Sequence, residues 1–153
     1  MVKQFIGYAG TYTRETSEGI YRFTLDIEKK QLTTVDVAAQ IGSPTYVTVS
    51  DDQQFLFAVA QKGDQGGVAS YKIDQTTGAL TFISEVLSDG APPCHVSIRD
   101  GELLTSNYHK GTVELYKVDK NGTLDKLSEV QHVGHGPHER QEKPHVHYAA
   151  HTP

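Results

Sequence analysis

Three runs of alternating apolar and polar residues along the chain end in the same way, at an aspartate. Alternation with a period of two places apolar side chains on one face of a strand, so each run predicts a half-buried β-strand. The terminal residues are Asp26, Asp74 and Asp119, which lie 48 and 45 residues apart. No long stretch has the 3.6-residue period of an amphipathic helix, and the pattern therefore predicts an almost purely β structure.

A second marker, a proline followed by a short strand, recurs between these runs. Its prolines are Pro44, Pro93 and Pro144, which lie 49 and 51 residues apart. A repeat of about 40–50 residues built only from strands and turns is typical of a β-propeller. We therefore predict an all-β fold of four-stranded antiparallel blades, with about three blades present.

The repeat also predicts the limits of each blade. Thr77-Gly78 and Asn121-Gly122 occupy the same place in two repeats, and Asn-Gly between alternating runs is a strong hairpin signal. The expected limits are about 1–40 for blade 1, which lacks its first strand, about 44–88 for blade 2, about 93–133 for blade 3, and about 145–151 for the first strand of blade 4.

The length of 153 residues is short for a closed propeller, which typically has about 4–8 blades. One interpretation is that the chain is about half of a larger propeller; the other is that a short protein dimerises to complete a ring. By itself, an open propeller of this kind leaves blade faces and strand edges unpaired. An open strand edge can pair with another chain, so self-association through these edges is expected.

Composition narrows the classes of partner. The formal net charge of −5 disfavours nucleic acid, which binds basic surfaces. No segment approaches the run of about 20 apolar residues that spans a membrane, so no membrane partner is predicted. Cys94 is the only cysteine, which excludes a disulfide within the chain and favours a reducing compartment, the cytoplasm.

Histidines are concentrated near the end of the chain. Six of the eight lie between positions 132 and 151, in the long connection from blade 3 to the next inner strand and in that strand. Long loops on a rigid scaffold are common places for binding and catalytic sites. The six are His132, His135, His138, His145, His147 and His151.

Three interpretations of this segment are open. In the first it is a hydrolytic site, because the imidazole of His147 can take a proton from water near pH 7. The Arg140 guanidinium would hold an oxyanion or a phosphate, with Glu142 and His145 beside it. In the second the histidines bind Zn²⁺, although no His-Glu-x-x-His helix is present. In the third they are polar residues of a solvated loop.

The neighbouring blade adds two polar candidates. His95 occupies the inner-strand marker of the third repeat, where Tyr46 stands in the second, and Asn107 ends the following strand. Inner strands of a propeller line its central channel, so polar residues near their ends point towards a common axis. Packing within the channel is the alternative explanation for His95 and Tyr46.

Several motifs together resemble the lactonase family of seven-bladed propellers, which includes the propeller-type 6-phosphogluconolactonases and a fungal carboxymuconate-lactonising enzyme. They span nearly the whole chain in order, although the chain is much shorter than members of that family. The motifs are Gly10-Thr11-Tyr12-Thr13, Ser17-Glu18-Gly19-Ile20-Tyr21, Ser43-Pro44-Thr45-Tyr46, Gly66-Gly67-Val68, Pro92-Pro93-Cys94-His95-Val96, Ser106-Asn107-Tyr108-His109 and Arg140-Gln141-Glu142-Lys143-Pro144-His145-Val146-His147.

The resemblance implies an N-terminal portion of such a propeller and hydrolysis of a small-molecule phosphosugar lactone, 6-phosphogluconolactone, in the pentose phosphate pathway. It implies neither a cofactor nor a metal. His147 then matches the family's channel histidine and the candidate base, with Arg140 and Glu142 as its catalytic partners. The substrate-binding candidates that it implies are His145, Gln141, His95 and Asn107.

Two other functions remain open at this stage. A non-enzymatic propeller would bind a metabolite or a protein on its rim and would have no need to align Arg140, Glu142 and His147. A metal-dependent hydrolase would lose activity with a chelator and would hold its ion at His145 or His147.

Overall fold

The computed structural model describes residues 3–153, and it confirms the predicted all-β fold. Eleven strands form three antiparallel sheets, and the regular structure is otherwise one 3-10 helix, Glu139–Gln141, in the described residues. The first sheet contains β1 (Gln4–Ala9), β2 (Gly19–Asp26) and β3 (Gln31–Gln40). The second contains β4 (Val47–Val49), β5 (Phe55–Lys62), β6 (Gln65–Ile73) and β7 (Leu80–Asp89). The third contains β8 (His95–Arg99), β9 (Glu102–Asn107), β10 (Thr112–Val118) and β11 (Leu124–Gln131).

The sheets stack like propeller blades. In each one the strands follow each other in chain order, and the first strands β4 and β8 lie against each other, as do the fourth strands β7 and β11. We call these sheets blades 1, 2 and 3. Blade 1 has three strands, and β1 pairs only with β2 among the described strands.

Blade 2 is buried on both faces, which explains its unusually continuous apolar strand. Side chains alternate across β5, so Leu56 and Ala58 pack towards blade 1 with Ile20, while Phe57 and Val59 pack towards blade 3 with Leu103. A strand covered on both sides needs apolar residues at every position. Two separate apolar clusters therefore hold the three blades together.

The recurring aspartates cap the turns that join the third and fourth strands. Asp26 Oδ1 accepts hydrogen bonds from the backbone of Glu28 and Lys29. Asp74 Oδ1 does the same for Thr76 and Thr77, and Asp119 Oδ1 for Asn121 and Thr123. The sequence repeat is thus a repeat of turn chemistry, in which a short carboxylate pairs the free N–H groups of a tight turn.

These bonds make stability depend on pH. Hydrogen bonds from backbone N–H groups hold the pKa of each of the three carboxyls below its usual value. For Asp74 the largest effect comes from the N–H of Thr77. A lowered folded-state pKa contributes stability that is complete above the unfolded pKa of about 3.9 and is lost as the pH falls below it.

We expect Asp74→Asn to lower the melting temperature at pH 7 and to lower it less at pH 3, because the contribution of the charge begins to be lost once the pH falls below the unfolded pKa of about 3.9. Thermal unfolding followed by circular dichroism at the two pH values measures the difference. Asp89→Asn, on an exposed strand end, is the control. An equal loss at both pH values would contradict the role of the charge.

Blade 3 contains a buried cluster of charges that the sequence pattern did not reveal. Glu114 is 6% exposed and accepts hydrogen bonds from Tyr116 Oη at 2.5 Å and from Lys126 Nζ at 2.7 Å. Lys126 also bonds Glu129 at 2.6 Å, and Thr105 donates to Glu114. Burial favours the neutral acid, but the bonds from Lys126 and Tyr116 outweigh it and hold the pKa of Glu114 below its usual value.

Residues 145–151, expected as the first strand of blade 4, form no β-ladder in the structure. A strand is defined by backbone hydrogen bonds to a neighbouring strand of its own sheet. Segment 145–151 is instead contacted by side chains of β8, which do not make it part of a ladder. Along the described residues, no helix is long and apolar enough to cross a membrane.

Candidate functional site

The predicted site residues lie where the connection between blades 3 and 4 folds back over the turn that follows β9. Lys143 Nζ donates to the carbonyl of His109 at 2.9 Å, which ties the connection to this turn. At Gly111 the two backbones approach closely: a Cβ atom on this residue would lie only 3.1 Å from the carbonyl oxygen of Pro144. The connection is therefore docked onto blade 3.

Tyr108 is the centre of the histidine cluster. Its ring stacks on His145 with centroids 4.3 Å apart and planes 14° from parallel. His147 meets the same ring edge-on at 6.1 Å, and His109 does so at 5.4 Å. One tyrosine thus brings together two histidines of the connection and one of the turn.

His145 is held at both ring nitrogens. Nδ1 lies 3.4 Å from the carbonyl oxygen of Tyr108, and Nε2 lies 3.3 Å from that of Arg140 and 3.4 Å from Glu142 Oε2. The pKa of Glu142 is lowered, first by its own backbone N–H and further by His145. An ionised Glu142 therefore fixes the orientation of His145, and His145 in turn packs on Tyr108.

Arg140 projects from the 3-10 helix. The ring Nδ1 of His138 accepts the backbone N–H of Arg140 at 3.1 Å and so caps the first turn. The Arg140 side chain is exposed, and its guanidinium makes no hydrogen bond or ion pair to residues 3–153. It is available to an anionic ligand, although no contact links it directly to His147.

His95 is enclosed by aromatic rings from its two neighbouring segments. It is 4% exposed, with the ring of Tyr46 at 4.5 Å on one side and that of Tyr148 at 4.4 Å on the other. Burial lowers the pKa of His95, and repulsion from His147 lowers it further. His95 is thus a neutral imidazole near the candidate base.

Asn107 and Gln141 bond within the loops in this structure. Asn107 is 3% exposed; its Nδ2 donates to Ala91 and its Oδ1 accepts the backbone N–H of Lys110, both at 2.8 Å. The Gln141 side chain donates to the carbonyl of Lys143 at 2.7 Å. Both side chains shape the loops around the cluster, and their assignment to substrate stays a prediction.

Side chains of β8 hold the segment that carries His147. Ser97 Oγ donates to the carbonyl of Ala149 at 2.8 Å, and Arg99 donates to that of Thr152 at 2.9 Å. The thiol of Cys94 lies 3.6 Å from the carbonyls of Val146 and His147. Burial raises the pKa of this thiol, so it remains an uncharged donor.

Ser97→Ala is expected to loosen segment 145–152, because it removes the shortest of these bonds. Limited proteolysis within this segment should speed up several-fold, since a net hydrogen bond contributes about 1 kcal/mol and cleavage follows the population of the open form. Ser97→Thr keeps the hydroxyl and should preserve resistance to cleavage, and Ser128→Ala on the exposed β11 serves as the control. An unchanged cleavage rate in Ser97→Ala would show that the segment is held by packing alone.

Two large concave surfaces lie away from these residues. One, of about 480 Å³, is lined mainly by turn residues between blades 2 and 3, with Phe55 and Phe57 at its base. The other, of about 670 Å³, runs beside β1 and β4. Neither is lined by a predicted site residue, so volume alone does not identify the site.

Metal binding finds no geometric support in the described part of the chain. Across residues 3–153, no three side chains of His, Cys, Asp or Glu converge as metal ligands. His145 instead faces two carbonyls and Glu142, and His151 faces Glu102 at 3.5 Å.

Tyr108 and Tyr148 are the site residues that sequence reasoning did not assign. Tyr108 stands inside a motif recognised for its neighbours, and Tyr148 directly follows His147. Each tyrosine is adjacent in sequence to a histidine, and this adjacency could have indicated their role, because a packed aromatic ring fixes the orientation of an imidazole.

The three stacked blades define part of a β-propeller, and comparison with known proteins identifies its family. The family model described as "Lactonase, 7-bladed beta-propeller" matches residues 6–153, and the chain belongs to this family. The resemblance inferred from the motifs is thereby confirmed.

One relative and two solved structures give finer comparisons. A Bacillus subtilis protein named 6-phosphogluconolactonase is 50% identical over 153 residues, which cover 98% of this chain and 44% of that protein. A Lactobacillus plantarum crystal structure superimposes with a TM-score of 0.90 at 37% identity, covering 100% of this chain and 44% of that one. A putative 6-phosphogluconolactonase from Bacteroides uniformis gives 0.85 at 32% identity, covering 93% and 42%.

The chain spans less than half the length of these relatives. Its three sheets therefore represent part of a seven-bladed ring.

Proposed function

We propose that this chain carries the catalytic base of a lactonase that hydrolyses 6-phosphogluconolactone to 6-phosphogluconate. The observation that supports it is the cluster around Tyr108, where a carboxylate-bound His145 and the exposed His147 share one aromatic ring. The name of the Bacillus subtilis relative supports the substrate. In this proposal the enzyme acts in the pentose phosphate pathway in the cytoplasm.

The chemistry needs one base and no covalent intermediate. His147 takes a proton from a water molecule, whose oxygen attacks the carbonyl carbon of the lactone. The tetrahedral oxyanion collapses, the ring C–O bond breaks, and the proton on His147 passes to the departing ring oxygen. The carboxylate of Glu142 orients His145, which supports the base through Tyr108.

Neutral His95 is the candidate hydrogen-bond donor to the substrate. A donor placed where negative charge develops stabilises the transition state more than the ground state. Asn107 and Gln141 complete the proposed binding set by shaping the loops on either side.

Arg140→Ala is expected to raise the KM for the phosphorylated lactone about 10- to 100-fold, because a charge-assisted hydrogen bond contributes about 1.5–3 kcal/mol. The KM for the unphosphorylated gluconolactone should change little. Arg140→Lys keeps the charge without the bidentate geometry, so its KM for the phosphorylated lactone should lie between those of the wild type and Arg140→Ala. Equal losses for both lactones would show that Arg140 does not bind the phosphate.

A chelator separates this mechanism from a metal-dependent one. The proposed reaction should run at the same rate after dialysis against EDTA. A loss restored by added Zn²⁺ would replace the His147 mechanism with a metal-bound water.

Self-association is part of the proposal. Among the described strands β1 pairs only with β2, so its outer edge offers backbone groups to a second strand, beside the exposed side chains of Phe5 and Ile6. Sedimentation velocity should show a concentration-dependent dimer, and a monomer at all concentrations would contradict this part.

A further inference from the structure

Two buried side-chain polar atoms of blade 3 lack hydrogen-bond partners among the described residues and belong to residues on neighbouring strands. They are Nδ1 of His95 and Oγ of Ser106. The two residues are direct partners in the register of β8 and β9, so their side chains lie on the same face of the sheet. Buried polar groups are nearly always paired, and two unpaired ones at opposite positions call for a common explanation.

The geometry allows one bond to satisfy both atoms. Directly opposite residues have Cβ atoms about 4.5–5.5 Å apart, which a rotating hydroxyl or a single buried water can bridge. A hydroxyl offers a proton, and the unprotonated nitrogen of a neutral imidazole accepts one. The two unpaired atoms are thus chemically complementary.

The surroundings favour the neutral ring that this bond requires. Tyr46 and Tyr148 enclose His95, and both its burial and the nearby His147 lower its pKa. A neutral imidazole carries its single proton on one nitrogen, and the bond at the other nitrogen decides which.

We propose that Ser106 donates a hydrogen bond to Nδ1 of His95, directly or through one buried water, and so fixes the tautomer with the proton on Nε2. Ser106 is then a positioning residue. His95 presents Nε2–H as a donor for the carbonyl oxygen of the lactone, while His147 remains the base. This role for His95 rests on the proposed function, whereas the tautomer itself does not.

Long-range ¹H–¹⁵N correlation spectra of the ¹⁵N-labelled chain test the proposal, because they distinguish protonated from unprotonated ring nitrogens. Wild-type His95 should show one tautomer, with the proton on Nε2. Ser106→Ala should convert it to a mixture, while Ser106→Thr, which keeps the hydroxyl, should preserve it. Ser88→Ala, on the exposed surface of β7, is the control for a serine loss elsewhere.

A proton on Nδ1 in the wild type, or a Ser106→Ala spectrum identical to the wild type, would overturn the proposal. If Ser106→Ala does not fold, the wild-type and Ser106→Thr spectra decide the question. The spectra need no catalysis, so a wrong tautomer leaves the hydrolysis proposal standing. Conversely, an inactive protein with the expected tautomer would overturn only the proposed function.

Discussion

His147→Ala is expected to lower the rate of catalysed lactone hydrolysis about 10²–10⁴-fold, the usual contribution of a positioned general base. The reason is that His147 is the exposed histidine of the cluster, whereas His145 has acceptors at both ring nitrogens and His95 is buried. Initial rates of acid release from 6-phosphogluconolactone, corrected for spontaneous hydrolysis, measure the loss.

His135→Ala is the matched control, because His135 is an exposed histidine of the same connection whose ring nitrogen bonds the carbonyl of the neighbouring Gly136. It should retain the full rate. A His147→Ala protein as fast as His135→Ala would show that another group acts as the base.

Lys126→Met is expected to destabilise the fold by about 3 kcal/mol, the lower end of the range for breaking a buried ion pair. It leaves the carboxylate of Glu114 buried with only Tyr116 and Thr105 as donors. The lower end applies because Lys126 is itself partly exposed to water. Urea unfolding followed by circular dichroism measures the loss.

Lys117→Met tests the same substitution without the ion pair, because Lys117 lies exposed on β10. It should change the free energy of unfolding by less than about 0.5 kcal/mol. The double variant Glu114→Gln with Lys126→Met should recover much of the loss, since no charge then remains buried. Equal stability of the two lysine variants would contradict the importance of the cluster.

The strands were predictable from local pattern. Asp74 and its two counterparts mark turns because the carboxylate accepts hydrogen bonds from N–H groups two to four residues later, a purely local interaction. Likewise, β2 alternates because one of its faces is buried, and β5 is continuously apolar because both of its faces are buried. Both patterns can be recognised in the sequence.

The charged cluster of blade 3 was not predictable in this way. Glu114 and Lys126 are 12 residues apart and meet only because β10 and β11 pair with a register shift between Leu115 and Tyr116. A one-residue change in register moves a side chain to the opposite face, and a single sequence does not fix such a shift.

The candidate site was predicted as a set of residues but not as an arrangement. The sequence located His145 and His147 through their motif and placed both in the predicted first strand of blade 4. The structure instead places them around Tyr108, because segment 145–151 forms no ladder and the connection docks onto the turn after β9. Contacts between distant loops depend on the whole fold.

Hydrolysis of freshly generated 6-phosphogluconolactone by this chain tests the proposed function, with His147 as the base, more directly than any other measurement. Its rate should be compared with spontaneous opening at the same pH and with the His147→Ala variant. An acceleration that depends on His147 is expected. A rate equal to the spontaneous one, with the lactone or its product still bound, would contradict it and favour a propeller that only binds its ligand.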